Sequence, residues 1–136
     1  MKYDKKVTTS GKRKTSVAKA TISEGEEKII INGKPYQQLN FVRRMMIEEP
    51  VRITKQILGK FNYDVSVRVK GGGHESKIEA VRLAIAKAIV KISKSEKLRK
   101  AFLEYDRNLL IADVRKKEAY KPDDSKARAK RQSSKR

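Results

Sequence analysis

Residues 61 to 70 alternate without a break, with Phe61, Tyr63, Val65, Val67 and Val69 on one side and Asn62, Asp64, Ser66, Arg68 and Lys70 on the other. A period of two sustained over such a run is that of a strand with one buried and one wet face. Gly71, Gly72 and Gly73 end the strand. A long helix begins near His74 or Glu75, because Ile78, Val81, Ile85, Ile89 and Ile92 recur at three- and four-residue steps. Ala80, Ala84 and Ala88 lie beside them and let the helix sit close against a sheet, while Lys77, Arg82, Lys87, Lys91 and Lys94 fill much of the remaining circumference. A half-buried strand feeding such a helix needs further strands beside it.

Upstream residues supply them. Ala18, Ala20 and Ile22 alternate with Val17, Lys19 and Thr21, which reads as a strand. Glu24-Gly25-Glu26 forms a turn and residues 28 to 31 a second strand, so the pair reads as a hairpin. Asn32-Gly33 follows as another tight turn, since both residues accept positive φ at low cost. A helical stretch is expected from about Arg43 or slightly earlier, interrupted or opened by Pro50 and closed by Gly59. Ser95 is a plausible N-cap for a short helix carrying Leu98, Ala101, Phe102 and Tyr105. The expectation is an α+β domain with helices on one sheet face, divided as a basic arm (1–14), a folded domain (15–111) and a C-terminal tail (112–136).

Charge then decides what such a domain meets. The chain of 136 residues carries 35 Lys and Arg against 16 Asp and Glu, a net +19. Self-repulsion on that scale is relieved by a polyanion, of which nucleic acid is the commonest. No apolar run approaches the roughly 20 residues of a membrane-spanning helix, and the opening MKYDKKVTTSGKRK lacks the apolar centre of a secretory signal. The absence of Cys excludes disulfides and thiolate metal clusters. The expected setting is the cytoplasm.

From Arg115 onward ten cations face three carboxylates, a net +7 that leaves +12 on the rest of the chain. This tail has no aliphatic residue larger than Ala after Val114 and cannot build a core of its own. A solubilising or localisation tail is the plainer reading, but such an appendage does not require a basic body. Arg115, Lys116, Lys117, Lys121, Lys126, Arg128, Lys130 and Arg131 are therefore candidate RNA contacts.

Two clusters in the body join them. Lys12, Arg13 and Lys14 follow Gly11 and can conform to an RNA backbone, the alternative being a solvated arm. They do not form a phosphate loop, since the first glycine of that motif is missing and Lys12 precedes Arg. Gly71 to Gly73 precede a helix N-terminus, where free N–H groups favour a phosphate; they serve equally well as a tight strand-to-helix connection. His74, the only histidine, has no Cys or second His for a metal site and is better placed for a hydrogen bond to RNA or to the loop. No carboxylate pair and no nucleophile with a base is brought together by the spacing, so no catalytic, metal or cofactor site is expected.

Three segments, GKRKTSVAKATI, VKGGGHESKIEAVRLAIAKAI and the closing KARAKRQSSKR, resemble the universal ribosomal protein S-nine family of the small subunit, in register over essentially the whole chain. The resemblance implies a ribosomal protein S5 domain 2-like α+β fold with a left-handed β-α-β crossover. It implies binding to rRNA in the head of the small subunit beside neighbouring head proteins. It also implies an extended tail whose last residues, here Ser134, Lys135 and Arg136, approach the anticodon stem-loop of peptidyl-site tRNA. Three positions depart from the family pattern. Lys77 stands where Gln is usual, Val114 replaces the Pro of Asp-Pro-Arg and makes the exit into the tail less rigid, and Ser133 replaces an aromatic. The wording of the tail looks more archaeal or eukaryotic than bacterial. The competing readings are a protein partner of a processing ribozyme, substoichiometric to ribosomes, and a DNA compactor with comparable affinity for duplex DNA.

Overall fold

The computed structural model describes residues 5–115, together with residues 119 and 122. Strands β1 (Val7–Arg13), β2 (Ser16–Glu24), β3 (Ile29–Ile31) and β4 (Lys34–Pro35) lead through a 3₁₀ turn to helix α1 (Phe41–Leu58). Strand β5 (Tyr63–Lys70), helix α2 (His74–Ser93) and helix α3 (Glu96–Tyr105) follow. The five strands form one sheet in the order β1-β2-β5-β3-β4. This is the mixed α+β arrangement the alternating strand and the Ala-rich helix require.

Strand β5 behaves as its pattern demands: Val65, Val67 and Val69 are buried and Ser66, Arg68 and Lys70 exposed. Helix α2 lies over the same face and buries residues around most of its circumference, from Ile78 to Ile92. Its other side packs on α1, which in turn meets α3, whose Leu98 and Phe102 are buried. The described helices therefore lie on one face of the sheet, and no described helix covers the opposite face.

Three local expectations need correction. The residues expected as a basic arm outside the folded domain include a strand: β1 runs antiparallel to β2 from Val7↔Ile22 to Arg13↔Ser16. Gly11 is buried in it, and a Cβ there would overlap the Ala80 carbonyl oxygen of α2. Thr9 Oγ1 donates to the Ala84 carbonyl at 2.8 Å across the same contact. The expected β2–β3 hairpin is not formed, because β5 inserts between the two strands, antiparallel to β2 and parallel to β3. The intervening loop passes over the start of β5, held by Asp64 Oδ1 accepting from the Glu26 and Lys28 amides at 2.9 and 3.1 Å. Pro50, thirdly, lies buried inside a continuous α1. A proline there removes one backbone donor, and Thr54 Oγ1 adds a bond to the Pro50 carbonyl at 2.7 Å.

The remaining punctuation matches the sequence. Asn40 caps α1, Gly59 closes it in the left-handed region at φ 79°, and the Ser95 side chain accepts from the Leu98 amide. Asn32 (φ 51°) and Gly33 (φ 80°) make the β3–β4 turn. Beyond Ile31 the Asn32 side chain completes the edge of β5, accepting from the Val69 amide at 2.9 Å and donating to its carbonyl at 3.2 Å.

Candidate nucleic-acid interface

The register brings the distant basic segments to one end of the fold. Arg13 faces Ser16 across the β1–β2 turn, and Val17 faces Lys70 at the end of β5. Gly71 to Gly73 follow directly and α2 starts at His74. The turn and the glycine connection touch: Ser16, fully buried, donates from Oγ to the Gly71 carbonyl at 2.7 Å. At the same end Arg13 Nη1 donates to the Arg115 carbonyl at 3.2 Å, which anchors the root of the tail. Segments about sixty and a hundred residues apart thus share one corner.

Their side chains divide into two kinds. Lys12 and Lys14 are exposed, the latter in the turn at φ 53°. Arg13 points inward, its side chain only 13% exposed, with Nε 2.6 Å from Glu79 Oε2 and Nη2 3.6 Å from Asp113 Oδ2. It joins β1, α2 and the tail root, so its charge is already neutralised within the protein. Arg115 forks onto Asp113, with Nη2 2.6 Å and Nε 2.9 Å from Oδ2. This bidentate pair, helped by the Arg115 amide on Oδ1, holds the Asp113 carboxyl well below its usual range and raises the Arg115 guanidinium further. At the exit, where Val114 is exposed, Asp113 pairs with both Arg13 and Arg115.

The glycines also separate. Gly71 and Gly72 have φ of 81° and 69°, and a Cβ on Gly71 would lie 2.5 Å from the Thr15 carbonyl oxygen. A Cβ on Gly72 would overlap Ser16 Oγ. Both glycines are thus explained by the fold. Gly73 is different: its φ is −87°, and a Cβ there would meet nothing within 4 Å. That open space lies at the N-cap of α2, where backbone donors face outward. His74 is exposed beside it and Lys77 half-buried one turn on. A groove here is lined by both of them with Lys34, Gln38 and Arg43. Arg43 is paired with Glu75 at 3.0 Å. Neither Lys34 nor Arg43 was evident from the sequence, because only the β3–β4 turn and the packing of α1 on α2 bring them here. Lys116, Lys117, Lys121, Lys126, Arg128, Lys130, Arg131, Ser134, Lys135 and Arg136 lie outside the described residues.

A family model described as "Ribosomal protein S9/S16" matches residues 11–136. The chain belongs to this family. "Small ribosomal subunit protein uS9" of Methanococcus vannielii is 44% identical over 134 residues, which is 96% of this chain and 98% of that relative. The protein of the same name from Halobacterium salinarum is 42% identical over 127 residues, 93% of this chain and 96% of its own. The family match covers the exposed Lys12 and Lys14, the glycine connection and the whole tail. Among the described residues no group of three or more His, Asp or Glu is placed to hold a metal ion.

Proposed function

We propose that this protein is a structural, non-enzymatic constituent of the small ribosomal subunit, working as a single copy in the cytoplasmic ribosome. It binds rRNA in the subunit head next to other head proteins, and its tail runs on to the anticodon stem-loop of peptidyl-site tRNA. The convergence of the β1–β2 turn, the glycine connection and the tail root at one corner carries this reading. Exposed Lys12 and Lys14, the outward donors at Gly73 and His74, and Lys77 present cations and N–H groups together where the tail departs. Phosphate neutralisation there supplies affinity, and the shape of the folded RNA fixes position. Lys116, Lys117, Lys121, Lys126, Arg128, Lys130 and Arg131 extend the contact along rRNA, and Ser134, Lys135 and Arg136 reach the tRNA. The parallel pairing of β3 with β5, joined through α1, supports reading the fold as ribosomal protein S5 domain 2-like, a class whose β-α-β crossover is left-handed.

Two experiments test the reading. Removing Ser134 to Arg136 is expected to leave incorporation into subunits intact and to weaken tRNA binding in the peptidyl site. Unchanged tRNA affinity would sink the tail assignment. Replacing Lys12 and Lys14 by Ala should flatten the salt dependence of rRNA binding by about 1.4–1.8 in log–log slope, at ~0.7–0.9 per phosphate. An unaltered slope would take both lysines out of the interface.

A further inference from the structure

The sheet face that no described helix covers is a second basic surface. The register sets Lys12, Val17 and Lys70 in one row across β1, β2 and β5, and Ser10, Lys19 and Arg68 in the next. A third row holds Thr8, Thr21 and Ser66, continued by Ile30 on β3. Lys12, Lys19, Arg68 and Lys70 are all exposed, and among the described residues none of them takes part in an ion pair. No carboxylate occurs in these rows. The first acidic side chain in this register, Asp64, stands one row further on beside Ser23, bound to the Glu26 and Lys28 amides.

Adjacent strands lie about 4.8 Å apart and same-face residues along a strand about 6.7 Å apart. The rows therefore form a patch on the order of 10 by 13 Å, carrying four cations and four hydroxyls. It contains no aromatic ring, so it lacks the stacking platform that sheet surfaces use to splay single-stranded bases. Its only exposed aliphatic side chains are Val17, in the middle of the first row, and Ile30, at the β3 end of the third, two rows and two strands away, too far apart for an apolar protein contact.

We propose that this open face docks on the sugar-phosphate surface of double-helical, A-form RNA, with Lys19, Arg68 and Lys70 on phosphates and the Thr8, Thr21 and Ser66 hydroxyls against 2′-OH groups. Such duplexes expose a wide, shallow minor groove that is read by shape and backbone, and a hydroxyl-bearing cationic sheet face offers the matching contacts. Lys12 and Lys70 stand where this face meets the corner from which the tail departs. RNA can thereby be held on two sides of that corner. The inference rests on the RNA-binding reading above but names a surface that reading does not need.

The test uses the full-length chain, a duplex RNA of about 20 base pairs and a single strand of the same composition, each titrated across a range of salt. Changing Lys19, Arg68 and Lys70 together to Gln should leave the thermal melt close to wild type, because all three side chains are exposed. It should flatten the duplex slope by about 2–3, one phosphate per lost cation, and affect the single strand less. Replacing Thr21 by Val and Ser66 by Ala should reduce the preference for duplex RNA over duplex DNA. An unchanged duplex slope overturns the proposal while leaving RNA binding at the corner standing. A larger loss on the single strand overturns the duplex assignment. If the wild-type chain binds neither RNA, the functional reading fails and the inference falls with it.

Discussion

Replacing Gly11 by Ala adds one methyl group where β1 presses on α2. That methyl would overlap the Ala80 carbonyl oxygen and lie 2.7 Å from the Ala84 nitrogen and 3.2 Å from its Cβ. Two of these three neighbours are backbone atoms of a buried helix, so no rotamer relieves the contact. The strand must withdraw by several tenths of an ångström, and overpacking of this kind costs about 1–3 kcal/mol. Withdrawal also stretches the Thr9 to Ala84 hydrogen bond of 2.8 Å, worth about 1 kcal/mol. A loss of about 2–4 kcal/mol follows, and in a domain of this size each kcal/mol lowers Tm by roughly 4 °C. Calorimetry on the full-length chain should therefore show Tm down by about 8–16 °C, again at roughly 4 °C per kcal/mol. The exposed neighbour Ser10, changed to Ala, should shift it by less than about 2 °C. If Gly11→Ala melts within about 2 °C of wild type, β1 is not docked as described and the basic arm returns as the better account.

The glycine connection should split in the same assay. Gly72→Ala, strained at φ 69° and overlapping Ser16, should cost about 1–3 kcal/mol. Gly73→Ala, with open space around it, should stay within about 0.5 kcal/mol; equal losses would contradict the division. Asp113 has its carboxyl lowered from the ordinary 3.8 chiefly by the side-chain hydrogen bond from Arg115. A depressed folded-state pKa contributes stability above the unfolded value and loses it as pH falls through the folded value. The clamp should therefore persist as pH drops through 4 and open only in stronger acid, and an NMR titration midpoint for Asp113 at or above 4 would contradict it.

The parts of the fold that announce themselves in the sequence are those whose burial is aliphatic. Strand β5 and helix α2 repeat Val and Ile at periods of two and 3.6, so pattern alone places them. Strand β1 is hidden because its inward positions are Val7, Thr9, Gly11 and Arg13, of which only one is aliphatic. What buries the others is proximity to α2 and a salt bridge to Glu79, neither visible as periodicity. The mistaken hairpin has a related cause: Glu24-Gly25-Glu26 reads as a turn whether the flanking strands are neighbours or enclose a third. The candidate site shows the same limits. Lys12, Arg13 and Lys14 read from the sequence as one basic cluster beside a glycine; that Arg13 turns inward is not visible there, because its partners, Glu79 and Asp113, are remote in sequence. Lys19, Arg68 and Lys70 stood in the polar register of their strands, where a wet sheet face and a binding face look alike. Only the strand order, which sets β2 beside β5, gathers them into one patch.

Association with the ribosome tests the central claim most directly. Small subunits isolated from cells, washed in high salt and quantified by mass spectrometry should retain this protein at one copy each. A substoichiometric protein that washes off in moderate salt would contradict the account and favour a processing factor.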